Sequence, residues 1–281
     1  MQHLQNMKER ALGTVREQFK LNALKLPSLP EVTAQVRALS TNPRATAETL
    51  AAAILRDPAL TARLIRIANS PLLRGRMEVR SLAQAITRLG FHYVRDLATA
   101  LALEYAFEPD SEVTRQLMRR IARRSRDVAA ISHVLARHCT GLPPEQALLA
   151  GLLHFIGALP LLVAVADDGA TPGAAEIFAM LESCHAEVGV TLLRHWHFAE
   201  EIVLVPGAYR DTSRDSEAEA DYADIVAVAS LLSTTLEGAE AALPELAASP
   251  SARKLGLESA CDFYASEPMQ DDLRQCMSLL N

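Results

Sequence analysis

Residues 147–166, ALLAGLLHFIGALPLLVAVA, form a run of 20 positions in which His154 is the only polar side chain. By length such a run could span a bilayer, which takes about 20 apolar residues. Its interior and flanks argue otherwise. Gly151, Gly157 and Pro160 interrupt it, Glu145 and Gln146 precede it, Asp167 and Asp168 follow it, and no Lys or Arg supplies an orienting flank. The expected form is two short helices meeting at Gly157-Ala158-Leu159-Pro160, apolar all round and therefore buried all round in a helical core. No membrane association is expected. His154 is then a buried imidazole beside Phe155. With an adjacent carboxylate it could hold a divalent transition metal, but Phe155 offers no donor atom.

The four cysteines, Cys139, Cys184, Cys261 and Cys276, show no C-x-x-C spacing, so neither a disulfide framework nor a zinc site is indicated. MQHLQNMKER at the start has no apolar stretch of the secretory kind, and a cytoplasmic location is expected. The net charge of −6 conceals an asymmetry. Residues 1–138 carry 22 Lys and Arg against 12 Asp and Glu, whereas residues 139–281 carry 6 against 22. The two halves should attract each other or find different partners.

Helical spacing runs through the chain. Leu4, Met7, Ala11, Leu12, Val15 and Phe19 mark an amphipathic helix from His3 to about Leu24, stopped by Pro27 and Pro30. Helices follow over Glu31–Ser40 and Thr46–Arg56. Asp57-Pro58 then starts another, the Asp as cap and the Pro as first helical residue, which ends at Asn69. On that helix Leu60, Leu64, Ile67 and Ala68 form the buried stripe, with Arg56, Arg63 and Arg66 outside it. Ser81 opens a helix closed by Gly90, and Phe91–Phe107 forms the next. The longest pattern spans Ser111–Cys139. After the apolar hairpin, helices are expected over Ala174–Glu182, over His185–His195, and from about Ala199 to Pro206-Gly207. Arg210–Ala220 reads as an exposed loop and Asp221–Leu236 as a helix. Beyond it little pattern is found until Met269–Leu280. No stretch alternates with the period of a strand, so the chain is all-α without a significant sheet.

LPSLPEV (26–32), LRDPALTARLIRIANS (55–70) and SLAQAITRLG (81–90), followed by GLLHFIGALPLL (151–162) and HAEVGVTLLRHW (185–196), resemble the HDOD domain, a bacterial signalling module related to HD-type metal phosphohydrolases. The resemblance covers about residues 26–235. It implies two packed helical bundles, residues 26–107 and a degenerate HD-like bundle of 111–236, joined through the hairpin at 147–166. A leading helix (1–25) and a C-terminal extension (237–281) lie outside this 26–236 domain.

An HD-type enzyme holds its metal through a His on one helix, a His-Asp pair on another and a distant Asp, and metal-bound water is the nucleophile. The matching positions here are Arg123-Arg124-Ser125, His154-Phe155 and Ala229-Ser230. One ligand of four remains, so Arg124, His154, Phe155 and Ser230 read as the remnant of such a site. No metal, no cofactor and no catalysis are expected, in keeping with the resemblance, because catalytic metal sites need the full ligand set.

No phosphate-binding glycine motif and no nucleophile elbow occurs. His185, His195 and His197 surround Trp196, but residues two apart on a helix do not share a face. They read as the rim of a core anchored by Trp196. His92 and Tyr93 after Gly90 read as a partly exposed helix start. The strongest surface feature is the helix carrying Arg115, Arg119, Arg120, Arg123, Arg124 and Arg126. No aromatic residue interleaves them, which disfavours single-stranded nucleic acid. With Asn69, Arg74 and Arg76, the arginines are the expected partner or anion surface. The function expected is non-catalytic signal transduction by binding another protein, one of acidic character, with self-association left open. The resemblance also suggests links to two-component and cyclic-dinucleotide signalling. The alternatives are a nucleotide or cyclic-dinucleotide sensor using Arg124 and His154 as a phosphate pocket, or a residual metal-dependent phosphohydrolase.

Overall fold

The computed structural model describes residues 2–20, 31–39, 42–70, 79–103, 111–167, 172–211, 214–215, 219–236, 242–257 and 259–280. Every regular element among them is a helix: α1 (Gln2–Lys20), α2 (Glu31–Ala38), α3 (Ala47–Ile54), α4 (Pro58–Ala68), α5 (Leu82–Leu89), α6 (Phe91–Leu103), α7 (Glu112–Cys139), α8 (Pro144–Leu153), α9 (Ala158–Asp167), α10 (Ala174–His195), α11 (Glu200–Val203), α12 (Val205–Ala208), α13 (Tyr222–Leu236), α14 (Ala242–Ala248), α15 (Pro250–Lys254), α16 (Ala260–Ala265) and α17 (Glu267–Leu280). The proline-containing link at 25–30 lies outside the described residues.

Local chemistry sets the helix ends of the first bundle. The Thr46 and Thr49 hydroxyls exchange hydrogen bonds with each other's backbone amides at the start of α3. Asp57 accepts from the Leu60 amide at 3.0 Å, with Pro58 at the first helical position of α4. Ser81 caps α5, and Gly90 ends it at φ 90°, in the left-handed region that glycine tolerates. Helices α2 to α6 pack on one another, and α6 also meets α8.

Around the long α7 lie α8, α13 and α17, and α10 packs in turn on α9, α11 and α12. The capping serine of α7, Ser111, accepts from the Thr114 amide at 3.1 Å. Gly151 lets α8 press against α7, since a methyl there would stand 2.6 Å from the Ala129 α-carbon. Pro144–Ala166 is long and apolar enough to cross a membrane, yet 94% of its most apolar window is buried within the fold. It serves as core. α1 lies across α9 and α10, burying Met7, Ala11, Leu12 and Val15, and Arg16 grips the Glu187 carboxylate with contacts of 2.7 and 2.9 Å.

Several expectations need correction. The hairpin turns at His154–Gly157, three residues earlier than Gly157–Pro160, so that Pro160 falls in the first turn of α9, where its missing amide costs no helix bond. Residues 174–195 form one helix, because Ser183 and Cys184 return their polar hydrogens to the Met180 carbonyl and leave the ladder intact. The segment after Ala199 divides at Leu204 into α11 and α12, with Pro206 inside the latter. Arg63 is buried: its guanidinium donates to the Leu280 carbonyl at 2.9 Å. The C-terminal stretch also holds more structure than its pattern suggested, with α14, α15 and α16 preceding α17 and Leu246, Ala252, Phe263 and Leu273 all in the core. On α13, buried Asp224 accepts from Ser251 Oγ at 2.6 Å and Lys254 Nζ at 3.1 Å, which ties α15 down.

Candidate functional site

The middle of α7, the turn after α8, the centre of α10, the end of α12 and the middle of α13 converge on one cluster. α7 contributes Arg124, whose Nη2 lies 3.3 Å from Ser230 Oγ and whose Nη1 lies 3.2 Å from Glu182 Oε1. Its guanidinium carbon sits 5.9 Å from the centre of the Phe155 ring. His154 follows α8 as its C-cap, and its Nδ1 lies 2.6 Å from the Gly151 carbonyl. A carbonyl only accepts, so Nδ1 carries the proton and Nε2 is left as a buried lone pair. The structure thus brings Arg124, His154, Phe155 and Ser230 together.

Two residues complete the cluster. The His185 ring stacks obliquely on Phe155 with ring centres 4.1 Å apart, and its Nε2 shares a hydrogen bond of 3.2 Å with the Tyr209 hydroxyl. The Tyr209 ring stands edge-on to His154 at 5.0 Å. From the sequence His185 reads as part of the rim of a core around Trp196, but it is fully buried, while His195 and His197 are exposed. The grouping was by sequence proximity. α10 is continuous, so His185 lies almost three turns from His195, and the left-handed His197 (φ 55°) follows the C-cap Trp196. Tyr209 gave no signal in the sequence beyond being an aromatic residue after Pro206.

Electrostatics keep the two imidazoles neutral. Burial, then the Arg124 charge, pushes His154 down to about 3. Burial, then the neighbouring His154 and the charges of Arg210 and Arg124, pushes His185 down to about 2. Burial raises the Tyr209 hydroxyl to about 12 against the opposing pull of Arg124 and Arg210. The donors do not fit a divalent metal. Where an HD site would place an imidazole and two carboxylates, this cluster has a guanidinium, an apolar ring and a hydroxyl already engaged by that guanidinium. A small cavity of about 40 Å³, lined by Ala100, Met118, Ile121, Ser125, Leu152 and Phe155 among others, lies beside the cluster and has room for water.

The arginines of α7 divide by partner. Arg115 and Arg119 both bind Glu112, at 2.5 and 3.0 Å, so this pairing lies within the helix and not with the acidic half of the chain. Arg120 lies over the Phe178 ring at 4.1 Å. Arg123 is exposed and Arg126 half-buried. Attraction between the halves runs instead through Arg16 with Glu187, Arg124 with Glu182, and Arg137 with Asp272, which His138 Nε2 also meets in a hydrogen bond of 2.8 Å. Asn69 is not a free surface group, since its amide donates to the Val79 carbonyl at 2.6 Å and accepts from the Val79 amide at 2.7 Å. His92 is exposed with Nδ1 3.2 Å from Arg95 Nη1, and Tyr93 is buried. Arg74 and Arg76 lie outside the described residues.

Comparison with known proteins gives a consistent fold. The model of the HDOD domain family matches residues 26–209. No curated protein matches the chain. Among solved structures, a protein of Shewanella amazonensis named provisionally as a metal-dependent phosphohydrolase is 26% identical, with a TM-score of 0.79, covering 98% of this chain and 100% of that one. An HDOD domain protein of unknown function from Geobacter sulfurreducens is 21% identical, with a TM-score of 0.52 over 96% of this chain and 89% of that one. A protein of Marinobacter aquaeolei named provisionally for signal transduction is 21% identical, with a TM-score of 0.53 over 97% of this chain and 64% of that one.

Proposed function

The chain belongs to the HDOD domain family, and from that premise we propose that it is a non-catalytic regulatory domain of bacterial signalling that works in the cytoplasm by binding another protein. The observation that carries this is the engagement of Arg124 with Ser230 and Glu182 at the place where an HD enzyme assembles its metal ligands. A fixed cation there opposes a divalent ion, and among the described residues no group of three His, Cys, Asp or Glu side chains gathers around the neutral His154 to hold one. The name of the Shewanella relative points to hydrolysis and that of the Marinobacter relative to signalling, so the chemistry of this chain's own residues weighs more than either. The surface offered to a partner is the exposed edge of α7 at Arg119, Arg120 and Arg123, which suits an acidic protein.

The experiment is a pair of measurements. Cross-linked pull-down from the native lysate with the wild-type chain and with the Arg119→Glu, Arg120→Glu double variant should retain a specific protein on the first and lose it on the second. Phosphoesterase turnover by the purified chain loaded with manganese, iron or zinc, abolished by His154→Ala, would overturn the proposal.

A further inference from the structure

Arg120 and Arg124 stand one turn apart on α7, over Phe178 and Glu182, one turn apart on α10. A third guanidinium arrives from the end of α12, where Arg210 donates to the Glu182 carbonyl at 2.9 Å and approaches its carboxylate at 3.8 Å. Among the described residues Glu182 is the only carboxylate that pairs with any of the three. Three positive charges against one leave an excess of two. Arg124 also keeps one buried donor, Nε, that makes no hydrogen bond to another described residue. The edge is open to a ligand, with Arg210 47% and Glu182 31% exposed.

We propose that Arg120, Arg124 and Arg210 form an oxyanion site, with Glu182 as an internal stand-in, and that its ligand is the phosphate dianion of a small molecule. Charge and geometry select that class. A phosphate monoester carries about two negative charges near neutral pH and three acceptor oxygens, which matches the local excess and the forked donors of guanidinium groups. The positive field is felt inside the fold as well, since Arg124 and Arg210 both help hold His154 and His185 neutral. This site goes beyond the partner-binding role and stands whether or not a partner is found.

Isothermal titration calorimetry of the full chain at about pH 8, where phosphate is dianionic, tests it with two probes, inorganic phosphate and adenosine monophosphate, against sodium chloride of matched ionic strength. Saturable heat is expected with at least one probe. Glu182→Gln, which removes the competing carboxylate, should tighten binding about tenfold, and Arg210→Ala should weaken it by about as much, in line with couplings between close charges. Arg115→Ala, remote from Glu182 and paired with Glu112, should leave affinity unchanged. Tighter binding of the nucleotide would identify an organic monoester as the source, and tighter binding of inorganic phosphate would identify the free ion. Absence of saturable heat with both probes in wild type and Glu182→Gln would overturn the site. Equal weakening by Arg115→Ala and Arg210→Ala would do so too, because it would mark a diffuse field in place of a built site.

Discussion

Gly157 sits so close to the backbone of His185 that a β-carbon on it would lie 2.0 Å from the His185 carbonyl oxygen. The turn after α8 is therefore pressed directly onto α10, and neither backbone can yield without moving its helix. Gly157→Ala should destabilise the fold by about 3 kcal/mol or more, at the upper end of overpacking penalties. Gly141→Ala, at a position facing open space, is the control and should change stability little. Chemical denaturation of the two variants gives the comparison.

Acid should unfold the protein earlier than its carboxylates alone would require. His133, His154 and His185 are held at about 4, 3 and 2, burial being the first cause in each, against about 6.5 in an unfolded chain. Between those values and pH 6.5 the unfolded state binds more protons than the folded one. Stability therefore rises with pH across this window and is lost as pH falls through it, by up to about 1.4 kcal/mol per pH unit for each histidine. Urea midpoints measured from pH 7 downward should show this decline, and His185→Phe should make it shallower. An unchanged slope in that variant would mean that His185 charges freely in the folded state.

Asp224 is expected to be among the costliest single carboxylates to remove. It is 1% exposed, with Lys254 7% exposed on it, so Asp224→Ala strands a buried ammonium and should cost about 3–5 kcal/mol. The double variant Asp224→Ala, Lys254→Met should recover much of the loss. Proteolysis within residues 242–257 tracks whether α15 comes away first.

Asn69→Ala should behave as a stability variant and not as a binding variant. Both amide hydrogen bonds to Val79 vanish, leaving partly buried backbone groups unsatisfied at about 1–3 kcal/mol. Retention of any partner at a temperature well below melting, together with a lowered melting point, is the expected result.

Much of this architecture could be read from local chemistry. Asp57-Pro58, Ser81 with Gly90, and Ser111 each announce a helix boundary that the fold keeps, because caps act over three or four residues. The resemblance to HD-type sites also aligned Arg124, His154, Phe155 and Ser230, which do meet. What escaped depends on contacts across the chain. Arg63 reads as solvent-facing from its place off the apolar stripe, yet the Leu280 carbonyl, 217 positions away, receives it. Glu182, His185, Tyr209 and Arg210 belong to the candidate site only because α10 and α12 fold against α7, and no spacing rule links them to it. The short helices α14 to α16 are too brief for periodicity to register.

The bond from Arg63 to Leu280 also bears on how the molecule is born. α17 closes over both α7 and α4, so on the ribosome the residues of α4 and α7 emerge long before the helix that covers them. Such distant pairing slows folding and leaves apolar surface waiting during synthesis. Truncation before α17 should accordingly yield a chain that depends on chaperones.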